Sequence, residues 1–365
     1  TLNHNNYLYL DACSTTPVSK AVLDVMFKIY SNNWANPSSI HQLGIDANEI
    51  LERSRFTLSK LFGLEYFQII FTSGATESNH LALLGSANNA DPGRLVISAV
   101  EHPSVTFAAK KLTKLGWDLA FWPVDKFGQI DLKYLDRLLS HPTKLVSLIW
   151  GQSEIGSIQP VRIIAEECRK RNIIFHTDAS QIFSQGLPVF NELKADYITL
   201  SSHKIQGPNG IGLLIKNNTD LLLTSLQGGY QEFGLRGGTE PTALIAGMVM
   251  AICDINKRIS FEEHRTIFQP SLTTKLTTQL RILLDSNPQL RLVGHPTERL
   301  PHHLSYLLHS NKMQPMNSRE FVRDLSTKGI FLSSGSACSA KAKSKNNILD
   351  SIGLDLNYQN SLLRI

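Results

Sequence analysis

The stretch ITLSSHKIQGPNGIGLL, Ile198 to Leu214, places a lysine where an apolar run breaks into a glycine-rich loop. Ile198 and Leu200 read as the end of a strand. Gly207, Pro208, Asn209 and Gly210 carry turn chemistry, and a second apolar run, Ile211 to Ile215, follows at once. Lysine ordinarily sits in water. Lys204 instead stands at the mouth of what reads as a buried strand, with Ser201, Ser202 and His203 just before it.

The surrounding chain repeats this pattern. Short β-branched runs lie at Ile69 to Phe71, Leu95 to Ile97, Leu145 to Trp150, Ile173 to Thr177, Tyr197 to Leu200 and Ile211 to Ile215. Several are apolar at consecutive positions, as strands buried on both faces must be. Helical stretches separate them. In VRIIAEECRKR, for example, Val161, Ile164 and Cys168 share one face. The alternation predicts an α/β fold with a mostly parallel sheet and helices on both sides. After about residue 255 the pattern changes. LRLVG, HHLSYLLH and GIFLSSG look like strands of a smaller α+β domain, and GHPTERLPHH (Gly294 to His303) is a proline-punctuated loop.

The bulk composition agrees. A chain of 365 residues is too long for one ordinary core. Hydrophobic residues make up 42% and charged residues 18%, which is ordinary globular usage. The net charge of +5 is scattered rather than massed, so no nucleic-acid partner is expected. Cys13, Cys168, Cys253 and Cys338 lie far apart with no metal-ligand spacing, which argues against structural zinc and against a secreted disulfide framework. The longest apolar run, Ala243 to Cys253, is shorter than the ~20 residues of a membrane span. With no signal pattern at the N-terminus, a cytoplasmic protein with no membrane partner is expected.

In open parallel sheets, ligands sit beyond the carboxyl ends of the strands. The residues following the candidate strands are TSGATES, AVEHPSV, GQSEIGSIQP, DASQ and SSHK. Five strand ends thus deliver hydroxyls, histidines, an aspartate and one lysine to one edge. In FTSGATESNHLALLG, the turn Ser73 to Thr76 opens a helix whose free N–H groups suit a phosphate; an ordinary helix cap is the plainer alternative. Asp178 ends a strand and needs a cationic or N–H partner, which a protonated pyridine nitrogen or the next helix would supply. A desolvated Lys204 attacks carbonyls as a free amine, whereas a solvated one snorkels into water. Pyridoxal phosphate requires a lysine, an acid facing its ring nitrogen and an anion site. Lys204, Asp178 and the Thr76 turn supply all three. His102, in EHPSV, is placed to stack on the ring face, although alone it reads as a structural histidine.

Cys338 lies in SSGSACSAKAKS, a loop of small and polar residues with three lysines after it. Nearby positive charge favours its thiolate, so it reads either as a travelling nucleophile or as an incidental surface thiol. Cys168 and Cys253 sit in apolar contexts and read as core. Cys13 is ambiguous.

Taken together, the segments YLDACSTTP, NPSSIHQLG, FTSGATESNHLAL, EHPSV, HTDASQ, SSHKIQGPNGIG, GGYQEFGLRGGTE, SSGSAC and LLRI resemble, in order and over nearly the full length, the cysteine desulfurase family. This family lies in the class V aminotransferase group of fold-type I pyridoxal phosphate enzymes, and the SSGSAC loop resembles its housekeeping and nitrogen-fixation subgroup. The resemblance implies a large coenzyme domain over residues 14–255, with a sheet of the seven-stranded type. It implies a small domain of residues 1–13 and 256–365 carrying a mobile cysteine loop.

The resemblance also implies roles. Lys204 would carry the coenzyme as a Schiff base and move protons. Asp178 would pair with the pyridine nitrogen, His102 would stack on the ring, and Gln181 would hydrogen-bond its phenolic oxygen. Ala75, Thr76, Ser201 and His203 would hold the phosphate. Thr239 would reach the phosphate of a neighbouring subunit, which implies a homodimer. Arg364 and Asn36 would lie on the substrate side, with Arg364 on the carboxylate. Cys338 would take sulfur from L-cysteine as a persulfide, leaving alanine, for delivery to sulfur-acceptor or iron–sulfur scaffold proteins. No metal is implied.

Two departures stand out. Gln152, Ser153 and Glu154 replace the family's usual NNE, so Ser153 stands where an Asn normally contacts the coenzyme ring oxygen. The chain also begins without Met and stops at Ile365, where the family continues, so an incomplete C-terminus is expected. The alternatives are another class V lyase or aminotransferase, such as a selenocysteine or cysteine lyase, and a catalytically weak scaffold of the same fold.

Overall fold

The computed structural model describes residues 7–88, 90–185, 192–217, 228–258, 272–335, 347–358 and 360–365. Along the chain come β1 (Leu8–Tyr9), α1 (Lys20–Asn32), α2 (Gln42–Phe62), β2 (Ile69–Thr72), α3 (Ala75–Asn88), β3 (Arg94–Ser98), α4 (Pro103–Thr113) and β4 (Asp118–Trp122). Next are α5 (Leu135–Leu139), β5 (Thr143–Ile149), α6 (Val161–Lys170), β6 (Ile174–Asp178), β7 (Tyr197–Ser201), β8 (Gly212–Lys216) and α7 (Thr242–Arg258). The last part holds α8 (Leu272–Asp285), β9 (Leu290–Leu292), β10 (Ser305–Leu308), α9 (Ser318–Thr327), β11 (Ile330–Phe331), α10 (Asn347–Ser351) and β12 (Leu362–Arg364).

The main sheet has seven strands in the order β2-β8-β7-β6-β5-β3-β4, and β8 alone runs against the others. The six expected strands all form, within a residue or two of their expected bounds. The expected burial on both faces is also there. Ile69 and Phe71 enter the core on one face, under α2, α6 and α7, while Ile70 enters the core under α3 and α4. Leu213 and Ile215 face the first core and Leu214 the second. A strand that buries both faces has no polar position to spare, which is why these runs read as unbroken hydrophobics.

β4 was not among the expected strands. It is an edge strand, paired only with β3, and Asp118 and Phe121 on it are exposed. Leu119 to Trp122 is apolar throughout, but no β-branched residue marks it as a strand.

A three-stranded antiparallel sheet, β12-β10-β9, forms beside the main one, and β1 pairs in parallel with β11. A third core joins this smaller sheet to the main one: Leu307 and Leu362 pack with Ile149 and Val100, at the carboxyl ends of β5 and β3. That contact brings β12, and Arg364 on it, to the ligand edge. Among the described residues no helix is long and apolar enough to cross a membrane.

Candidate active site

The carboxyl ends of β2, β3, β5, β6 and β7 open into one cavity of about 460 Å³. Because β8 runs backwards, the loop feeding it contributes Asn209, Gly210 and Ile211 to the same edge. Lys204, Asp178, His102, Ala75, Thr76, Gln181, Ser201, His203, Ser153 and Arg364 all line this cavity. Asn36 does not: it is exposed, and its Oδ1 accepts from the Ser38 amide at 2.9 Å. Nor does Thr239, which is exposed just beyond Gly238. Cys338 lies outside the described residues.

A single 3-10 turn, Ser202–Lys204, follows β7 and turns Lys204 into the cavity. Its ammonium donates to the carbonyls of Cys13 and, at 2.7 Å, of Ser14. Burial, with Arg364 nearby, pulls its pKa down to about 8. Among the described residues no carboxylate pairs with it. This lysine therefore reaches the free-amine form that carbonyl condensation needs at a much lower pH than a solvated lysine does.

Asp178 ends β6 at 5% exposure. Its Oδ1 accepts from the Ser180 amide at 3.0 Å, and its Oδ2 accepts from Asn79 Nδ2 at 2.8 Å. Across the cavity, α3 begins at Ala75 with its first amides at the edge. Gly74 makes this possible with φ +148°. Gly212 of β8 passes so close beneath that a Cβ there would meet the Gly74 backbone at 2.6 Å. His203 joins the same end, its Nδ1 3.1 Å from Thr15 Oγ1. Burial, helped by Lys204, holds His203 neutral with a pKa of about 4.

His102 caps α4. Its Nδ1 accepts the Ser104 amide at 3.2 Å, and burial lowers its pKa. Gln181 Nε2 donates to the Cys13 carbonyl at 2.9 Å. On the far side, Arg364 Nη2 donates to Asp11 Oδ1 at 2.8 Å and to Ser14 Oγ. Its Nη1 donates to the Ser153 carbonyl at 3.0 Å, while Nε is buried without a partner. The Ser153 carbonyl also accepts from His303 Nε2 at 3.0 Å. Ser153 is thus held here by its main chain.

The matches to known proteins decide the family. The model of the family described as aminotransferase class-V matches residues 8–360. A curated relative titled cysteine desulfurase IscS 1, from Archaeoglobus fulgidus, is 35% identical over 95% of this chain and 88% of its own length. The chain belongs to the cysteine desulfurase family.

A cysteine desulfurase of Homo sapiens is 34% identical, over 98% of this chain and 76% of its own. Among solved structures, one titled NifS-like protein superimposes with a TM-score of 0.86 at 28% identity, covering 99% of this chain and 93% of that one. Another, titled SspA in complex with cysteine, gives 0.82 at 28% identity, covering 98% of each. The fold is therefore that of the fold-type I pyridoxal phosphate enzymes.

Several residues of this cysteine desulfurase site escape sequence reading. Asp11 and Ser14 orient Arg364, and Asn79 and Ser104 stand behind Asp178 and His102. Glu101 is buried beneath them, accepting from Ser98 Oγ and from the Ile149 amide at 2.7 Å; burial pushes its pKa up to about 8. One signal was available for Asn79. It lies four residues after Ala75, on the helix face that starts at the Ser73–Thr76 turn.

Proposed function

We propose that this chain is a pyridoxal phosphate-dependent cysteine desulfurase that converts L-cysteine to L-alanine and receives the sulfur on Cys338 as a persulfide. One observation carries the reading. An amine drawn down to a pKa of about 8 shares one cavity with a buried carboxylate, a helix N-terminus and an arginine that has an unpaired N–H. The donor set fits the coenzyme. Lys204 would hold it covalently, Asp178 would face its pyridine nitrogen, and His102 would lie on its ring. Ala75, Thr76, Ser201 and His203 would hold its phosphate. Gln181, and Ser153 more remotely, would serve the ring oxygen. When bound, the group acidifies the substrate's α-proton and stores the electrons released.

The chain's own residues do the rest. Arg364 binds the substrate carboxylate, and Asn36 belongs to the same substrate side. Lys204 carries a proton away from the α-carbon and returns one to the product. The Cys338 thiolate attacks the substrate sulfur. A sulfur–sulfur bond forms, the carbon–sulfur bond breaks with its electron pair staying on carbon, and protonation of that carbon gives alanine. The persulfide then passes to a sulfur-acceptor or iron–sulfur scaffold protein.

The working form is a homodimer in the cytoplasm, with Thr239 reaching the neighbouring subunit's phosphate site. The exposed aromatics Phe27, Trp34 and Tyr230, at 74%, 70% and 96% exposure, support burial against a second copy.

The test is incubation with pyridoxal phosphate and L-cysteine, reading alanine and protein-bound persulfide together. Wild type gives both. Cys338→Ala keeps the coenzyme absorbance and forms no protein persulfide, while Lys204→Ala loses the absorbance. Persulfide formation unchanged in Cys338→Ala would remove the reading.

A further inference from the structure

We propose that Asn79 and Ser104 form a relay that runs from Asp178 to His102 and fixes His102 in the neutral tautomer with its proton on Nε2. The inference rests on the functional reading above, in which His102 lies against the coenzyme ring.

Four residues make a continuous chain of hydrogen bonds. Asn79 Nδ2 lies 2.8 Å from Asp178 Oδ2 and 2.8 Å from Ser104 Oγ. Ser104 Oγ lies 2.8 Å from His102 Nδ1, and the Ser104 amide donates to that same nitrogen at 3.2 Å. The chain crosses between elements. Asn79 is on α3, Asp178 ends β6, and Ser104 and His102 open α4.

The polarity of this chain follows from valence alone. A carboxylate only accepts, so the nitrogen end of the Asn79 amide must face Asp178. That nitrogen has two hydrogens; one goes to Asp178 and the other to Ser104 Oγ. The Ser104 hydroxyl, having accepted one hydrogen, gives its own to His102 Nδ1. The Ser104 backbone amide can only donate, and it points at the same nitrogen. Nδ1 is thus an acceptor twice over, and the single proton of a neutral imidazole must sit on Nε2. Among the described residues Nε2 has no hydrogen-bond partner, and the ring lines the cavity. The relay therefore presents an N–H donor to whatever occupies that space.

Two further features point the same way. His102 caps the N-terminus of α4, where the helix field disfavours positive charge, and burial also opposes protonation. Asn79 Oδ1 is buried without a partner. An orphaned acceptor is a cost to stability with no packing return, which fits a residue kept for its two donated bonds.

Asn79 and Ser104 do not line the cavity and act through Asp178 and His102; they are positioning residues. The decisive readout is the ring-nitrogen chemical shifts of His102 in 15N-histidine-labelled holoenzyme, assigned by difference against His102→Gln. Wild type shows a bare Nδ1 and a protonated Nε2. In Ser104→Ala and Asn79→Ala the two shifts move towards each other as the second tautomer is admitted, while Ser104→Thr, which keeps the hydroxyl, restores the wild-type pattern. With L-cysteine, kcat of Ser104→Ala falls by roughly tenfold, the lower end of the losses seen when a group orienting a metal-bound imidazole is removed, and KM moves little. A wild-type ring protonated on Nδ1, or a wild-type pattern kept in Ser104→Ala and Asn79→Ala, overturns the relay. The shifts are read with and without pyridoxal phosphate. A protein without desulfurase activity therefore refutes the functional reading, while its ring-nitrogen shifts still show which tautomer His102 adopts.

Discussion

At the scale of one residue, Lys204 is where desolvation becomes chemistry. A solvated lysine amine titrates near pH 10.4 and is almost wholly protonated at neutrality. Burial, with Arg364 adding repulsion, brings Lys204 to about 8. The neutral fraction is then about 1% at pH 6 and about half at pH 8. Condensation with an aldehyde uses only the neutral amine. The initial rate of pyridoxal phosphate capture by the coenzyme-free protein is therefore expected to rise about tenfold per pH unit below 7 and to level above 8. Stopped-flow absorbance measures it directly. A rate that keeps climbing to pH 10 would mean that Lys204 is solvated. The same shift contributes to stability with a definite sign. Between about 8 and 10.5 the unfolded lysine holds a proton that the folded one has lost, so the penalty this buried charge puts on folding, fully present below 8, is relieved as pH rises through that window.

At the scale of the element, β8 decides how tightly the turn before α3 is built. It is antiparallel to β2 and β7, and it delivers Gly212 opposite Thr72 and Ser201. Gly212→Ala would drive a methyl group against the Gly74 backbone, whose Cα and carbonyl carbon lie 2.6 Å from the added Cβ. Backbone cannot swing aside as a side-chain tip can, so the turn before α3 must shift. The expected outcome is at least a tenfold loss in pyridoxal phosphate affinity, an estimate of about 1.4 kcal/mol or more, with Lys204 still able to condense when coenzyme is in excess. Equilibrium titration of the absorbance band checks it. Undiminished affinity would place the phosphate elsewhere.

Elements also show why some of the molecule is legible and some is not. β5, β6, β7 and β8 are readable because both faces are buried, so each carries β-branched and apolar residues at consecutive positions. β4 is not, because DLAFW carries no β-branched residue to mark it as a strand. Lys204 and Asp178 stand out as charges at the ends of apolar runs. The Asn79 and Ser104 contacts join residues 25 and 99 positions apart and leave no local trace. Arg364 is suggested by resemblance alone, since its arrival depends on how a second sheet docks. Asn36 and Thr239, named on the same ground, do not reach this chain's own cavity.

At the scale of the whole molecule, the cavity is closed by parts that are far apart in sequence. Cys13 and Ser14 offer carbonyls to Lys204, while Asp11, Ser14 and Ser153 grip Arg364. The groups proposed to hold the coenzyme follow strands of the main sheet, but Arg364 stands on the smaller one. The joint between them is the core formed by Leu307, Leu362, Ile149, Val100 and their neighbours. Leu307 is fully buried and sits opposite Leu362, two residues from Arg364. Leu307→Ala empties that joint and is expected to cost about 2–5 kcal/mol of stability. Because the void lies under β12, the arginine loses its fixed distance from Lys204 before the main sheet is disturbed. KM for L-cysteine should rise severalfold in this variant while the coenzyme band and its affinity stay close to wild type, since Lys204, Asp178 and the start of α3 rest on other cores. Loss of coenzyme in step with loss of substrate affinity would show instead that the two sheets respond as one unit.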